Sequence, residues 1–493
     1  MLIFYFFHIF YKLSHTIISF RKAFTQMTTK KQLPPFGIRD KVGYLLGDFG
    51  NDFTFILSSS FLLKFYTDVM HISAGVVGVV MMLSRFIDAF TDVTMGRICD
   101  RSRPRPDGKF KPWILRMCAP VAIASFLIYQ SAFATYPMWF RIGWLTVTYV
   151  LWGSIFYTSI NIPYGSMAST ISPDVADRQS LSTFRTTGST LAGVIVGAGV
   201  PLIAYDTKIV NGVQITEMNG PRFTLIAGVF SLLAVMSYLL CYVMTTERVI
   251  PDEIGGKNSS LRALVVSAIK NRAIVSIIVA SVLMLLSQFT LQQMANYVYP
   301  DYYANTTAQS VSTFAMLGGM IVAAILAKPL TIRFGKAEIS VFSSLIAAAV
   351  CILLFFLRPE SVWVYIGVNI LSWLGLGVFA MVSWALITDV IDYSEIKNGV
   401  REDGSIYSLY SFARKMGQAA AAGITGLLLT LIGYEKILGE PLAENVKRGI
   451  YDVSTLIPAI GFVLLAIVLW FWYPLHKRQV EGNVKFLKEK HKS

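Results

Sequence analysis

Charge is scarce in this 493-residue chain: Asp, Glu, Lys and Arg make up 15% of it, against about 25% in soluble globular domains. With 54% hydrophobic residues and a mean hydropathy of +0.57, that scarcity excludes an ordinary soluble fold. Cysteine is equally sparse. Cys99, Cys118, Cys241 and Cys351 stand singly in or beside apolar stretches, with no CxxC pair, which argues against a disulfide framework and a thiolate zinc site. The five histidines (His8, His15, His71, His476, His491) sit in tails or a short loop without HExxH spacing, and no nucleophile with its base can be recognised, so an enzyme ranks last among the readings. The net charge of +14 is spread as punctuation between apolar runs and forms no continuous basic face, which speaks against nucleic acid as a partner.

What the chain has in abundance is apolar length. A hydrocarbon core of about 30 Å needs about 20 apolar residues per helix. Twelve stretches satisfy this, at 42–66, 74–97, 113–133, 141–163, 181–204, 222–245, 272–296, 309–330, 338–357, 362–388, 405–432 and 453–475. The expectation is an all-α membrane protein with twelve transmembrane helices. The loop after the second span carries Arg101, Arg103, Arg105, Lys109 and Lys111, and the loop before it carries no Lys or Arg, so by the positive-inside bias the N-terminus is cytoplasmic. An even span count then places the basic tail 476–493 on the same side.

The longest polar connection, 246–271, falls after the sixth span and divides the chain into 42–245 and 272–475. Internal similarity supports that division. DRQSLSTFRTTGSTLAG at the fifth span aligns with GSIYSLYSFARKMGQAAAAG at the eleventh, matching Arg185 to Arg414 and Gly188 to Gly417. A weaker match pairs GRICDRSRPRPDGK with KPLTIRFGK. Within the N-terminal segment 1–41, residues 1–26 do not fit the parity, lack a signal-peptide pattern, and are expected to reflect an upstream in-frame start before Met27 and to pack poorly.

The charges inside the spans are the informative ones, because each costs roughly 2.5–3.5 kcal/mol at membrane depth on insertion scales and is kept for a reason. In RFIDAFTDVTMG, Asp88 and Asp92 lie four residues apart on one helix face, with Arg85 beside them. Paired carboxylates suit a hard cation such as Na⁺ or share a proton. A static lock with Arg85 and Lys415 is the alternative. Lys415 lies about ten residues into the eleventh span, too deep to snorkel easily, and needs a carboxylate partner. In GDFGNDF, Asp52 is the deeper of two acids and a candidate acceptor for sugar hydroxyls, while Asp48 reads as solvated; Gly47 and Gly50 permit close helix approach. The run YTSINIPYGS begins at Tyr157, offers Thr158 and Asn161 oxygens to a cavity, and is kinked at Pro163. Asp389 and Asp392, near the polar end of the tenth span, are natural partners for Arg101 and Arg103 in a cytoplasmic gate. Simple solvation of that loop competes with the gate.

With these residues in view, the chain resembles the glycoside–pentoside–hexuronide:cation symporter family of the major facilitator superfamily over about 42–475. The likeness is carried by KVGYLLGDFGNDF, FYTDV, RFIDAFTDVTMG, GKFKPWIL, NIPYGSM, DVIDYSE and GVREDGSIYSLYSFARKMGQA, in that order. It implies a major facilitator fold of two six-helix bundles in the cytoplasmic membrane, working as a monomer with no cofactor beyond the coupling ion. It also implies uptake of a sugar or glycoside with a monovalent cation. Carried over by position, Asp88 and Asp92 become the cation ligands, helped by Thr158, with Thr91 where relatives have an Asn. Lys415 becomes the coupling lysine beside them, and Asp52, Tyr157, Asn161 and Arg185 the substrate contacts. Melibiose carriers have an aspartate and a tryptophan where this chain has Asn161 and Gly165, which departs from galactoside recognition. The motifs lie nearer the glucuronide and isoprimeverose carriers, with Na⁺ and H⁺ both open as coupling ions. A carrier of a non-sugar solute and a transporter-derived sensor are the rival readings.

Overall fold

The computed structural model describes residues 34–249, 271–398 and 403–490. Residues 1–26 and most of the 246–271 connection, about which the sequence raised expectations, lie outside the described residues.

The first half runs α1 Ile38–Asp68, α2 Ala74–Arg101, α3 Lys111–Ile128, α4 Met138–Val150, a π-helical segment Leu151–Tyr157, α5 Thr158–Ile171, α6 Val175–Ile203, a hairpin of β1 Tyr205–Val210 and β2 Val213–Met218, and α7 Gly220–Met244. The second runs α8 Arg272–Tyr297, α9 Thr306–Phe334, α10 Lys336–Leu357, α11 Val362–Asn398, α12 Asp403–Leu431, α13 Glu444–Ile467 and the tail helix α14 Lys477–Lys490. Short side chains start several of these helices by accepting an otherwise unpaired first-turn N–H. Asp174 takes that of Ala176 at 2.8 Å, Asn219 that of Arg222 at 3.0 Å, and Asn305 that of Ala308 at 2.9 Å.

Among the described residues, nine helices are long and apolar enough to cross a membrane, which makes this a multi-pass membrane protein. The expected spans that fall short are the first, fourth and eleventh. The first holds Asp48, Asp52 and Lys64, the fourth is interrupted by the π segment, and the eleventh holds Arg414 and Lys415. These three also carry the candidates Asp52, Tyr157, Thr158, Asn161 and Lys415.

The all-α expectation needs correction at one place. Residues 205–218 form an antiparallel hairpin, turning at Asn211 and Gly212 with φ of +51° and +80°. Asn-Gly between alternating residues is a strong hairpin signal, because both central positions need positive φ.

The described residues separate into two compact units, one of 34–72, 86–206 and 218–249, the other of 73–85, 207–217, 271–398 and 403–490. The boundary runs through α2 and takes the middle of the hairpin into the second unit. Within each unit the matched repeat residues behave alike. A Cβ at Gly188 of α6 would collide with the Leu45 carbonyl of α1, and one at Gly417 of α12 would lie 3.0 Å from the Val282 carbonyl of α8. Glycine is what lets each of these helix pairs close. The matched arginines correspond as well. Arg185 lies 5.4 Å from the Tyr164 ring centroid, and Arg414 lies 5.5 Å from that of Trp384, each ring belonging to the span preceding its arginine.

Candidate functional site

α2 and the π–α5 rod bring two carboxylates against two hydroxyls. Ser154 donates to Asp88 Oδ1, and Thr158 donates to Asp92 Oδ1 at 2.9 Å. Both pairs are separated by 66 residues, so the two helices run in the same direction here and one turn of α2 matches one turn of its neighbour. Asp88 is buried and Asp92 partly so.

The π segment shapes this edge. Its wider turn lets Thr158 Oγ1 also reach the Gly153 carbonyl at 3.2 Å, and Gly153 leaves space where a Cβ would sit 3.7 Å from Asp88 Oδ1. Single π turns recur at functional sites. Thr91 is placed differently: its hydroxyl is returned to its own helix, at 3.2 Å from the Asp88 carbonyl and 3.3 Å from that of Ile87. The donor set is two carboxylates and two hydroxyls, all hard oxygens of the kind that suit an alkali cation or a shared proton. Sequence reasoning missed Ser154, whose one legible sign is its i, i+4 relation to Thr158.

On the α1 side the structure revises the reading of Asp48. It is not solvated: its side chain is 9% exposed and accepts from Arg185 Nε at 3.0 Å. Arg185 in turn lies over Tyr164, which stacks on Tyr44 with centroids 4.6 Å apart. The two tyrosines lock α1 to α5 by exchanging bonds, Tyr164 Oη donating to the Tyr44 carbonyl at 2.6 Å and Tyr44 Oη to the Tyr164 carbonyl at 3.4 Å. Gly47 makes the approach feasible, since a Cβ there would overlap the Tyr164 ring. The Arg185 side chain remains 39% exposed, so its terminal nitrogens keep donors for a further acceptor.

Asp52 lies one turn beyond Asp48 on α1 and interacts with the Ser189 hydroxyl of α6. Tyr157 stacks on Phe55 of α1 with centroids 5.8 Å apart. Consecutive residues Tyr157 and Thr158 thus serve the two sides, the ring meeting α1 near Asp52 and the hydroxyl meeting Asp92. Asn161, one turn on from Tyr157, is partly exposed.

In the second unit, Asp389 is 5% exposed and bound by Lys336 at 2.6 Å. Its observed ion pair is therefore with the basic loop of its own half. Asp392 and Lys415 are partly buried, Arg85 is buried, and Arg101 and Arg103 are exposed. Two buried ion pairs escaped the sequence reading: Lys64 with Asp68 at 2.7 Å in α1, and Lys436 with Asp301 at 2.9 Å.

Known proteins resemble this chain over most of its length. A glucuronide carrier protein homolog of Escherichia coli is 30% identical over 90% of this chain and 94% of its own length. An isoprimeverose transporter of Lactiplantibacillus pentosus is 28% identical over 88% of each chain. The crystal structure of a D-xylose–proton symporter superposes with a TM-score of 0.57 at 15% identity, covering 90% of this chain and 98% of that one, which establishes a shared fold. The family described as MFS/sugar transport protein matches residues 43–477, and the chain belongs to that family of membrane transporters.

Proposed function

We propose that the protein is a cation-coupled symporter of a sugar or glycoside, of the glucuronide or pentoside type, in the cytoplasmic membrane. The observation that carries this reading is the pair of matched contacts Asp88–Ser154 and Asp92–Thr158. Two acids at membrane depth are costly, and a hydroxyl beside each supplies neutral oxygen donors to complete a coordination shell without adding charge. Na⁺ or H⁺ binds there, with Lys415 and Arg85 as the cationic counterweights.

Substrate binds on the α1 side, to Asp52, Asn161, Tyr157 and Arg185. A carboxylate accepts two sugar hydroxyls in charge-assisted bonds, the tyrosine ring offers a flat apolar face, and the exposed part of the Arg185 guanidinium suits an anionic glycoside. The relatives named for glucuronide and isoprimeverose support that choice of cargo. Because Tyr157 and Thr158 are adjacent, filling one side shifts the rod that forms the other. Twelve helices in two six-helix bundles then alternate access, with both termini cytoplasmic, a monomer as the working unit, and Arg101 and Arg103 with Asp389 and Asp392 at the inner gate.

The test is uptake into proteoliposomes across a panel of glucuronides, xylosides and galactosides, with Na⁺ and pH gradients imposed separately. Accumulation of a glucuronide or xyloside driven by one gradient is the expected result. Uptake that neither gradient drives overturns the coupling, and transport of none of the panel overturns the cargo.

A further inference from the structure

The turn joining α2 to α3 is held rigidly. Glu247 accepts three consecutive backbone N–H groups, those of Lys109 at 2.9 Å, Phe110 at 2.9 Å and Lys111 at 2.7 Å. Arg105 and Gly108 exchange backbone bonds at 3.0 and 2.9 Å, with Gly108 at a φ of +123° that a side chain would strain. Asp107 is fixed by the Tyr242 hydroxyl at 3.0 Å, and Lys111 Nζ by the Thr245 carbonyl at 2.6 Å.

This frame encloses a cavity of about 210 Å³ lined by Arg103, Arg105, Lys109, Arg116, Ser102 and Trp113. Four cationic residues line it, the Lys109 ammonium also donating to the Asp100 carbonyl at 3.0 Å, and no carboxylate is among its described lining residues. The space is many times what a single water needs, ample for a phosphate group. A topogenic charge bias asks only that basic residues be present in the loop. It does not ask that they line one cavity beside a tryptophan at the end of a membrane helix.

The position within the fold selects among anions. Trp113 and Arg116 belong to α3, a membrane-crossing helix. Arg116 is on its exposed side five residues from its polar end, 5.8 Å from the Trp113 ring centroid. An interfacial tryptophan beside an arginine matches the headgroup level of a bilayer. A soluble anion would need only the loop cations, whereas a headgroup carried on acyl chains also passes along α3.

We infer that this cavity binds the phosphodiester of an anionic lipid headgroup. Arg103 and Arg105 approach from the aqueous side with two-pronged donors, Arg116 approaches from the membrane side, and Lys109 closes the loop edge. The lipid pins the α2–α3 turn to the membrane surface.

The test uses the full-length protein in detergent, measuring the melting temperature against added phosphatidylglycerol, phosphatidylcholine or inorganic phosphate. Phosphatidylglycerol raises it saturably and phosphatidylcholine does not. In the double variant Arg105→Gln/Arg116→Gln the half-saturating lipid concentration rises on the order of 30-fold, about fivefold per cation. Removing two charges elsewhere, with Arg478→Gln/Lys485→Gln, leaves it unchanged. An equal loss in that control, or the same stabilisation by inorganic phosphate alone, overturns the lipid site. A photoactivatable phosphatidylglycerol on the wild-type protein gives a reading that needs no variant: labelling is expected within 102–116, and labelling elsewhere only would refute the assignment.

Discussion

Asp92 accepts the Thr158 hydroxyl at 2.9 Å, one turn along α2 from Asp88, which accepts that of Ser154. A carboxylate held this way is fixed in orientation by a neutral donor on the neighbouring helix. Replacing Asp92 by Asn keeps the shape and removes the charge. Asp92→Asn is therefore expected to lower gradient-driven accumulation tenfold or more, about 1.4 kcal/mol of coupling or greater, while substrate exchange across the membrane persists. Full active uptake by this variant would remove Asp92 from the cation site.

The hydroxyls make a finer distinction. A hydrogen bond to a charged group contributes about 1.5–3 kcal/mol, so Thr158→Ala should weaken the half-saturating cation concentration on the order of 10- to 100-fold. Thr158→Ser keeps the donor and should stay within a few-fold of wild type. Ser154→Ala should resemble Thr158→Ala, whereas Thr91→Ala should do little, since the Thr91 hydroxyl bonds its own helix. Cation titration of uptake in the four variants decides the ranking, and equal effects at Thr91 and Thr158 would contradict it.

How far the sequence showed this site follows from what periodicity can and cannot carry. Asp88 and Asp92 were legible because an i, i+4 pair of acids inside an apolar run shares one helix face whatever the tertiary fold. Ser154 was not, because serine and threonine in membrane helices commonly return their hydroxyl to the preceding turn, as Thr91 does. Asp48 was misread because depth along a helix does not reveal facing: its partner Arg185 lies 137 residues away. The hairpin at 205–218 had a local signal in Asn211-Gly212, but reading for long apolar runs passes over two six-residue strands.

The Asp48–Arg185 contact makes a prediction about stability as distinct from transport. Removing one member of a buried pair strands the other charge, at about 3–5 kcal/mol when both are fully buried. Arg185 is 39% exposed, so the loss in Arg185→Gln should fall below that range. Asp48→Asn/Arg185→Gln should recover most of the melting temperature, because no charge is left unpaired, yet should not recover substrate affinity if Arg185 also contacts the cargo. Recovery of both would reduce Arg185 to a structural partner of Asp48.

The last prediction concerns acid. Glu217, on β2 outside the membrane helices, is 4% exposed. Burial pushes its carboxyl upward, but Lys208 Nζ at 2.8 Å, the backbone N–H of Gly439 and the nearby charge of Lys436 outweigh burial and hold it below the usual glutamate range. A group whose folded value is depressed contributes stability that is complete above its unfolded value and lost as pH falls through the folded one. Hydrogen-exchange protection of residues 205–218 should thus be flat near neutrality and decline in acid, from the ordinary glutamate value down to the lower folded one. Glu217→Gln should weaken protection at neutral pH and flatten its acid dependence. Protection that declines between pH 6 and 8 in wild type, or an unchanged acid limb in Glu217→Gln, would assign the dependence to another group.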